Sequence, residues 1–246
     1  MKNLPSPTYG RIESVLLRLT ALPTVVQEVQ PLSDRFRLIT LQGDGLRRVH
    51  WSPGEKVELK LGSFVSRTYT PLNWNYASGN IQLLVYLHGD APHRSPGAGW
   101  AQSANVGDSC MLFGPRNALS LHARRHNTVF FGDETSFATA GAFVAANEQH
   151  PVSYVFEVDN AQDARRVLDV LQLRSAVLVQ RNADNSHLAE VEAEMVRLAQ
   201  ATQAQDFIFS GNANSIQRLR HALKQRRMLS THMTKAYWAV GKLGLD

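Results

Sequence analysis

Thr128-Val129-Phe130-Phe131-Gly132-Asp133-Glu134-Thr135 is the stretch on which the fold turns. Four β-favouring residues run into a Gly-Asp turn, and residues 134–147 then read as a helix, so a strand delivers the chain straight into a helix start. Downstream the alternation repeats. Residues 151–158 read as a strand, and a helix follows with Ala164, Val167, Leu168 and Leu171 on one face. A strand over 176–180 precedes a helix with Leu188, Val191, Met195 and Leu198 at helical spacing. The strand 206–210, a helix striped by Ile216, Leu219 and Leu223, and a strand over 232–239 close the series. Parallel strands need helical crossovers, so this rhythm predicts a parallel, doubly wound α/β sheet.

Upstream the rhythm differs. Short β-type runs at 15–19, 24–29, 36–41, 56–61, 67–70, 81–88 and 109–113 are separated by Gly, Pro, Asp and Ser turns, which predicts an antiparallel β-barrel or sandwich. The basic stretch 121–126 separates the two patterns, giving expected domains of 1–125 and 126–246.

The 246 residues are 43% hydrophobic and 19% charged, enough to bury sizeable cores and too apolar for a disordered tail. No apolar run approaches the about 20 residues of a membrane span, and residues 1–10 lack the basic start and apolar centre of a secretory signal, so the expectation is a cytoplasmic chain with no membrane insertion. The single cysteine, Cys110, excludes an intramolecular disulfide, a CxxC pair and a four-thiolate cluster within one chain, and reads as a buried strand residue. The net charge of +5 is one-sided: residues 1–125 hold 14 Lys+Arg against 8 Asp+Glu, and residues 126–246 hold 12 against 13. An excess of +6 against −1 suits an anionic ligand on the first half. The run Arg218, Arg220, Lys224, Arg226, Arg227 reads as the polar face of a helix, with no nucleic acid expected. Walker, HExxH, GxSxG and metal-spaced Cys/His motifs are missing, so no metal site is expected.

A β-barrel followed by a nucleotide-type α/β half in about 250 residues points to a flavin reductase. Several local motifs agree in order and spacing. Arg67-Thr68-Tyr69-Thr70 ends a strand; His88-Gly89-Asp90 precedes Pro96-Gly97-Ala98-Gly99-Trp100-Ala101; Gly107-Asp108 leads to Gly114-Pro115-Arg116. Gly132-Asp133-Glu134-Thr135, Ser210-Gly211-Asn212 and Tyr237-Trp238 complete the set. On these motifs the chain resembles the siderophore-interacting protein family, the FAD-dependent ferric-siderophore reductases within the ferredoxin–NADP reductase-like group.

Elementary chemistry allows the roles that this resemblance implies. Alternation along a strand puts Arg67 and Tyr69 on one face, a guanidinium fork for a pyrophosphate beside a flat ring for a flavin. Gly97, Ala98, Gly99 and Trp100 open a helix whose free N–H groups and dipole favour phosphate. The resemblance implies FAD contacts for Arg67, Thr68, Tyr69, Thr70, His88, Gly97, Ala98, Gly99, Trp100, Thr135 and Trp238. Gly132, Asp133 and Glu134 open a helix at the crevice where doubly wound sheets bind ligands, and with Gly211 and Asn212 they form the expected site for NAD(P)H. Asp133 or Thr135 also fits a plain helix cap. The missing GxGxxG disfavours FAD in this half. Many relatives show Ala-Gly-Glu where this chain has Ser210-Gly211-Asn212, a departure at the donor end. Arg116 and Lys235, each beside a motif, are the expected contacts for an anionic ferric siderophore.

Electrons would pass from NAD(P)H, or from ferredoxin, through the flavin to Fe(III). Two alternatives stand beside this: a flavin reductase for another acceptor, and a non-catalytic flavin- or siderophore-binding module.

Overall fold

The computed structural model describes residues 21–62, 65–89, 95–119, 126–146, 150–239 and 241. The strand expected over 15–19 and most of the stretch 121–126 lie outside these.

The first half is a seven-stranded antiparallel sheet. Its strands are β1 (Ala21–Pro31), β2 (Phe36–Gln42), β3 (Lys56–Lys60), β4 (Ser66–Tyr69), β5 (Asn73–Asn75), β6 (Asn80–Tyr86) and β7 (Ser109–Arg116). They lie in the order β4-β3-β7-β1-β2-β6-β5. Val57 and Leu59 of β3 share one core with Ile81, Leu83 and Val85 of β6, with three strands between them in the sheet, so the sheet curls on itself. Helix α1 (Pro96–Ser103) plugs that core with Ala98 and Ala101. Ser95 caps it by accepting from the Ala98 N–H at 3.3 Å, and Pro96 occupies the first turn, where no N–H partner is needed. Cys110 is buried in β7, and burial pushes its thiol up to about 11.

The second half is a five-stranded, wholly parallel sheet of β8 (Thr128–Gly132), β9 (Val152–Val158), β10 (Val177–Gln180), β11 (Asp206–Asn212) and β12 (Thr231–Trp238). The order is β10-β9-β8-β11-β12, with crossovers through α2 (Phe137–Ala145), α3 (Ala161–Val170), α4 (Leu188–Thr202) and α5 (Ala213–Gln225). Strand alternation splits the central residues between two faces: Phe130 joins the core around Phe137 and Phe156, while Val129 and Phe131 join the core around Val191 and Phe207. Strand order reverses between β8 and β11, which opens a crevice at their carboxyl ends.

The helix expected over 134–147 starts differently. Asp133 accepts from the Thr135 N–H and sets a 3₁₀ turn over Glu134–Ser136, after which α2 begins. The two halves share a core, because Phe36, Leu38 and Leu84 pack with Phe137, and the Phe36 and Phe137 rings stack at 5.5 Å. Three cations of the run 218–227 are engaged locally: Arg226 pairs with Glu192, Arg220 meets His232 and Arg218 donates to the Asn185 carbonyl. No helix among the described residues is long and apolar enough to cross a membrane, and no cluster of metal-ligating side chains occurs among them.

Candidate functional site

A cleft of about 340 Å³ lies where the two sheets meet. Its first wall comes from the antiparallel half. Strand β4 pairs along β3 with Arg67 opposite Leu59 and Tyr69 opposite Val57, and Arg67, Thr68, Tyr69 and Thr70 all line the cleft. The Tyr69 ring packs against the core and tilts against Trp100 at 6.4 Å, and burial keeps its hydroxyl protonated by raising its pKa. Gly97 and Ala98, at the start of α1, also line the cleft. A Cβ on Gly97 would overlap the Tyr69 hydroxyl, so that approach of helix to strand requires glycine. Gly99 and Trp100 do not line the cleft, and a Cβ on Gly99 would meet nothing within 4 Å.

His88, just past β6, lies with Nε2 3.0 Å from the Ser95 hydroxyl. Desolvation, then the Arg67 charge, lowers its pKa and holds the ring neutral at physiological pH. Arg67 pairs with no carboxylate among the described residues. That wall therefore offers a guanidinium, a helix start and a neutral imidazole, a donor set suited to phosphate oxygens.

The opposite wall comes from the carboxyl ends of the parallel strands, with Glu134, Thr135 and Ala138 after β8, Asp159 after β9 and Arg181 after β10. Arg181 ties three of these together. Its guanidinium donates to Glu134 Oε2 at 2.9 Å and pairs with Asp159, while Glu134 Oε1 accepts from the Asp159 N–H at 2.5 Å. Burial outweighs the attraction of Arg181 and pushes Glu134 up to about 7. From across the cleft the Tyr86 hydroxyl donates to Asp159 Oδ2 at 2.7 Å, joining the two halves.

Residues 235–239 close the third side. The Trp238 indole donates to Asp133 Oδ2 at 2.7 Å and lies 5.9 Å from the Arg181 guanidinium. Tyr237 is half-buried, with its hydroxyl between Thr70 and Thr139. Lys235 lines the cleft and sits over the Tyr237 ring at 5.8 Å.

Eleven residues were expected to touch the cofactor. Arg67, Thr68, Tyr69, Thr70, His88, Gly97, Ala98, Thr135 and Trp238 share this cleft. Among the residues expected to hold a donor, Glu134 reaches it, whereas Gly132, Asp133, Gly211 and Asn212 lie behind the wall. Asp133 is fully buried and its carboxylate accepts from Thr135 and Trp238; burial pushes it up to about 6. Gly211, at φ +104°, packs where a Cβ would overlap that carboxylate, so the two turns do meet at the crevice. Asn212 caps α5 by accepting from the Asn214 N–H. Arg116 lines a separate small hollow with Lys56, Glu58 and Thr68, where it pairs with Glu58 at 3.3 Å.

Sequence reading missed Ser95, Tyr86, Asp159 and Arg181, and gave Tyr237 no role beyond its place in a motif. The Ser-Pro pair before Gly97 is an N-cap signature that marks Ser95, and the strand-end rule for doubly wound sheets marks Asp159 and Arg181. Tyr86 and Tyr237 are set by tertiary contacts alone.

Comparison with known proteins agrees with this geometry. Residues 62–119 match the family model described as the Siderophore-interacting FAD-binding domain, a segment that holds the whole first wall, Tyr86 included. The chain is 23% identical over 204 residues to the ferric vibriobactin reductase ViuB of Vibrio cholerae, covering 82% of this chain and 74% of that one. Among solved structures it resembles the siderophore-interacting protein of Acinetobacter baumannii, with a TM-score of 0.71, 18% identity and 91% of each chain covered. A siderophore utilization protein from T. fusca also gives 0.71, at 20% identity, with 92% of this chain and 95% of that one covered. The FAD apo form of the ferredoxin reductase in carbazole 1,9a-dioxygenase gives 0.64 at 14% identity, with 89% of this chain and 66% of that one covered. The family matched is therefore that of the siderophore-interacting FAD-binding domain, over residues 62–119, carried on the two-sheet fold of siderophore-interacting proteins and ferredoxin reductases.

Proposed function

We propose that the chain is an FAD-dependent ferric-siderophore reductase, in which residues 1–125 hold the flavin and residues 126–246 receive NAD(P)H. The observation that carries this reading is the convergence of Arg67, Tyr69, His88 and Gly97 from one sheet with Glu134, Thr135 and Trp238 from the other around one cleft. Arg67 would clamp the pyrophosphate, with the start of α1 at Gly97 and Ala98 as a second phosphate contact. Half-buried Tyr69 supplies a protonated hydroxyl and an aromatic face. Thr68, Thr70 and neutral His88 supply hydrogen bonds that leave the local charge unchanged. Gly99 and Trp100 act one step back, Trp100 by packing on Tyr69. When bound, FAD supplies a centre that accepts a hydride as an electron pair and releases electrons singly, as Fe(III) requires. Reduction loosens the chelate because Fe(II) is the softer ion and hard oxygen ligands hold it less tightly.

The donor would enter at the switch point between β8 and β11. Gly132, Asp133, Gly211 and Asn212 shape that crevice from behind, and Glu134 and Thr135 present it to the cleft. Lys235, on the cleft, is the contact for an anionic siderophore; Arg116 belongs to the neighbouring hollow and would act at longer range. One observation favours a second reading, in which reduced ferredoxin replaces the nucleotide: Trp238 and Asp133 already hold each other at the crevice. Anaerobic titration separates the two. Bleaching of the flavin band by NADH or NADPH supports a nucleotide donor, and bleaching by reduced ferredoxin alone supports a protein donor. A chain that carries no flavin sinks both.

A further inference from the structure

Three hydroxyls from distant parts of the chain meet beside the cleft, two on buried threonines and one on half-buried Tyr237. Tyr237 Oη lies 2.7 Å from Thr70 Oγ1 and 3.2 Å from Thr139 Oγ1. Thr70 is the residue directly after β4 and is 5% exposed, and Thr139 in α2 is wholly buried. Each hydroxyl has one proton to give and lone pairs to receive, so three in a row form a directed chain with Tyr237 as its middle member. Away from water such a chain is strengthened, and removing its middle member leaves the two outer hydroxyls with no partner in common. Backbone pairing explains none of this. Strand β12 is paired only to β11 in the sheet, while Thr70 belongs to the other half of the molecule.

We propose that Tyr237 is a positioning residue whose hydroxyl pins Thr70 to Thr139, and so fixes the strand that carries Arg67 and Tyr69 against the α/β wall of the cleft. The assignment rests on the flavin reading above, because the strand it fixes is the one given to FAD. It goes beyond that reading in making the geometry of the flavin wall depend on a residue of the carboxyl-terminal strand.

The test uses the full-length chain with Tyr237→Phe, Thr70→Val, the double variant, and Thr70→Ser, which keeps a hydroxyl. Amide hydrogen exchange is followed at residues 67–70 and, as a gauge of global opening, along the β1–β2 pair; FAD affinity is measured by flavin fluorescence. Tyr237→Phe should speed exchange at residues 67–70 while leaving β1–β2 unchanged, and should weaken FAD by about tenfold, the worth of one hydrogen bond. The double variant should be no weaker than Thr70→Val alone, and Thr70→Ser should stay near wild type. Unchanged exchange at residues 67–70, equal acceleration across β1–β2, additive losses, or FAD affinity untouched despite faster exchange would each overturn the pin. Wild-type protein that binds no FAD overturns the function proposed above, and the exchange data still decide whether the pin exists.

Discussion

Gly97 and Gly99 lie two residues apart at the start of α1, and their surroundings are opposite. Gly97 has no room for a Cβ because the Tyr69 hydroxyl lies against it, and Gly99 has open space. Gly97→Ala should therefore push Tyr69 off its place and reduce FAD content after purification, while Gly99→Ala should leave FAD content near wild type. Measuring bound flavin per chain for both variants checks this, and equal losses would contradict it. The sequence shows a glycine pair at a helix start, but the choice between its members depends on a ring that arrives from another strand. Arg67 was more legible, because strand alternation alone puts it beside Tyr69. Removing this clamp leaves a phosphate without its cation, so Arg67→Ala should weaken FAD by about 2 kcal/mol, roughly thirtyfold, with the protein still folded. Unchanged flavin stoichiometry and affinity would remove Arg67 from the site.

At the scale of elements, the strand-turn-helix around Gly132 concentrates the buried acid. Asp133 is pushed up to about 6 and Glu134 to about 7, in each case chiefly by burial. A carboxyl whose pKa is raised on folding makes the folded state bind the extra proton. Its contribution is present below the ordinary carboxylate range and is lost as pH rises through the raised value. The protein should thus lose stability between about pH 4 and pH 7. Glu134→Gln should flatten that slope by on the order of 2 kcal/mol across the window. Unfolding midpoints in denaturant at several pH values measure it, and parallel profiles for wild type and variant would contradict the assignment. The capping role of Asp133 was readable locally, since a Gly-Asp turn before a helix is a cap signature. The partner of Glu134 was not, because Arg181 follows a different strand and only the parallel order β10-β9-β8 brings it there. Strand β5 was missed for a related reason: three residues of Asn-Trp-Asn carry no period, and the pairing with β6 makes them a strand.

For the whole molecule, the switch from period-two runs to alternating strands and helices made both sheets legible, and the resemblance indicated which half holds the flavin. The way the halves join was not legible. It depends on the Phe36–Phe137 stack, on Tyr86 reaching Asp159 and on Tyr237 reaching Thr70, contacts between residues far apart in sequence. These contacts put the wall of Arg67, His88 and Gly97 and the strand-end wall around one cleft, and the proposed electron path from donor to Fe(III) depends on that adjacency. An anaerobic spectroscopic titration of the purified full-length chain tests it most directly. The protein, saturated with FAD and freed of excess, should show a bound flavin band that NADH or NADPH bleaches. A ferric siderophore should then restore the band as a ferrous-specific chelator registers Fe(II). A chain that retains no FAD, or a bleached flavin that a ferric siderophore fails to reoxidise, would contradict the account.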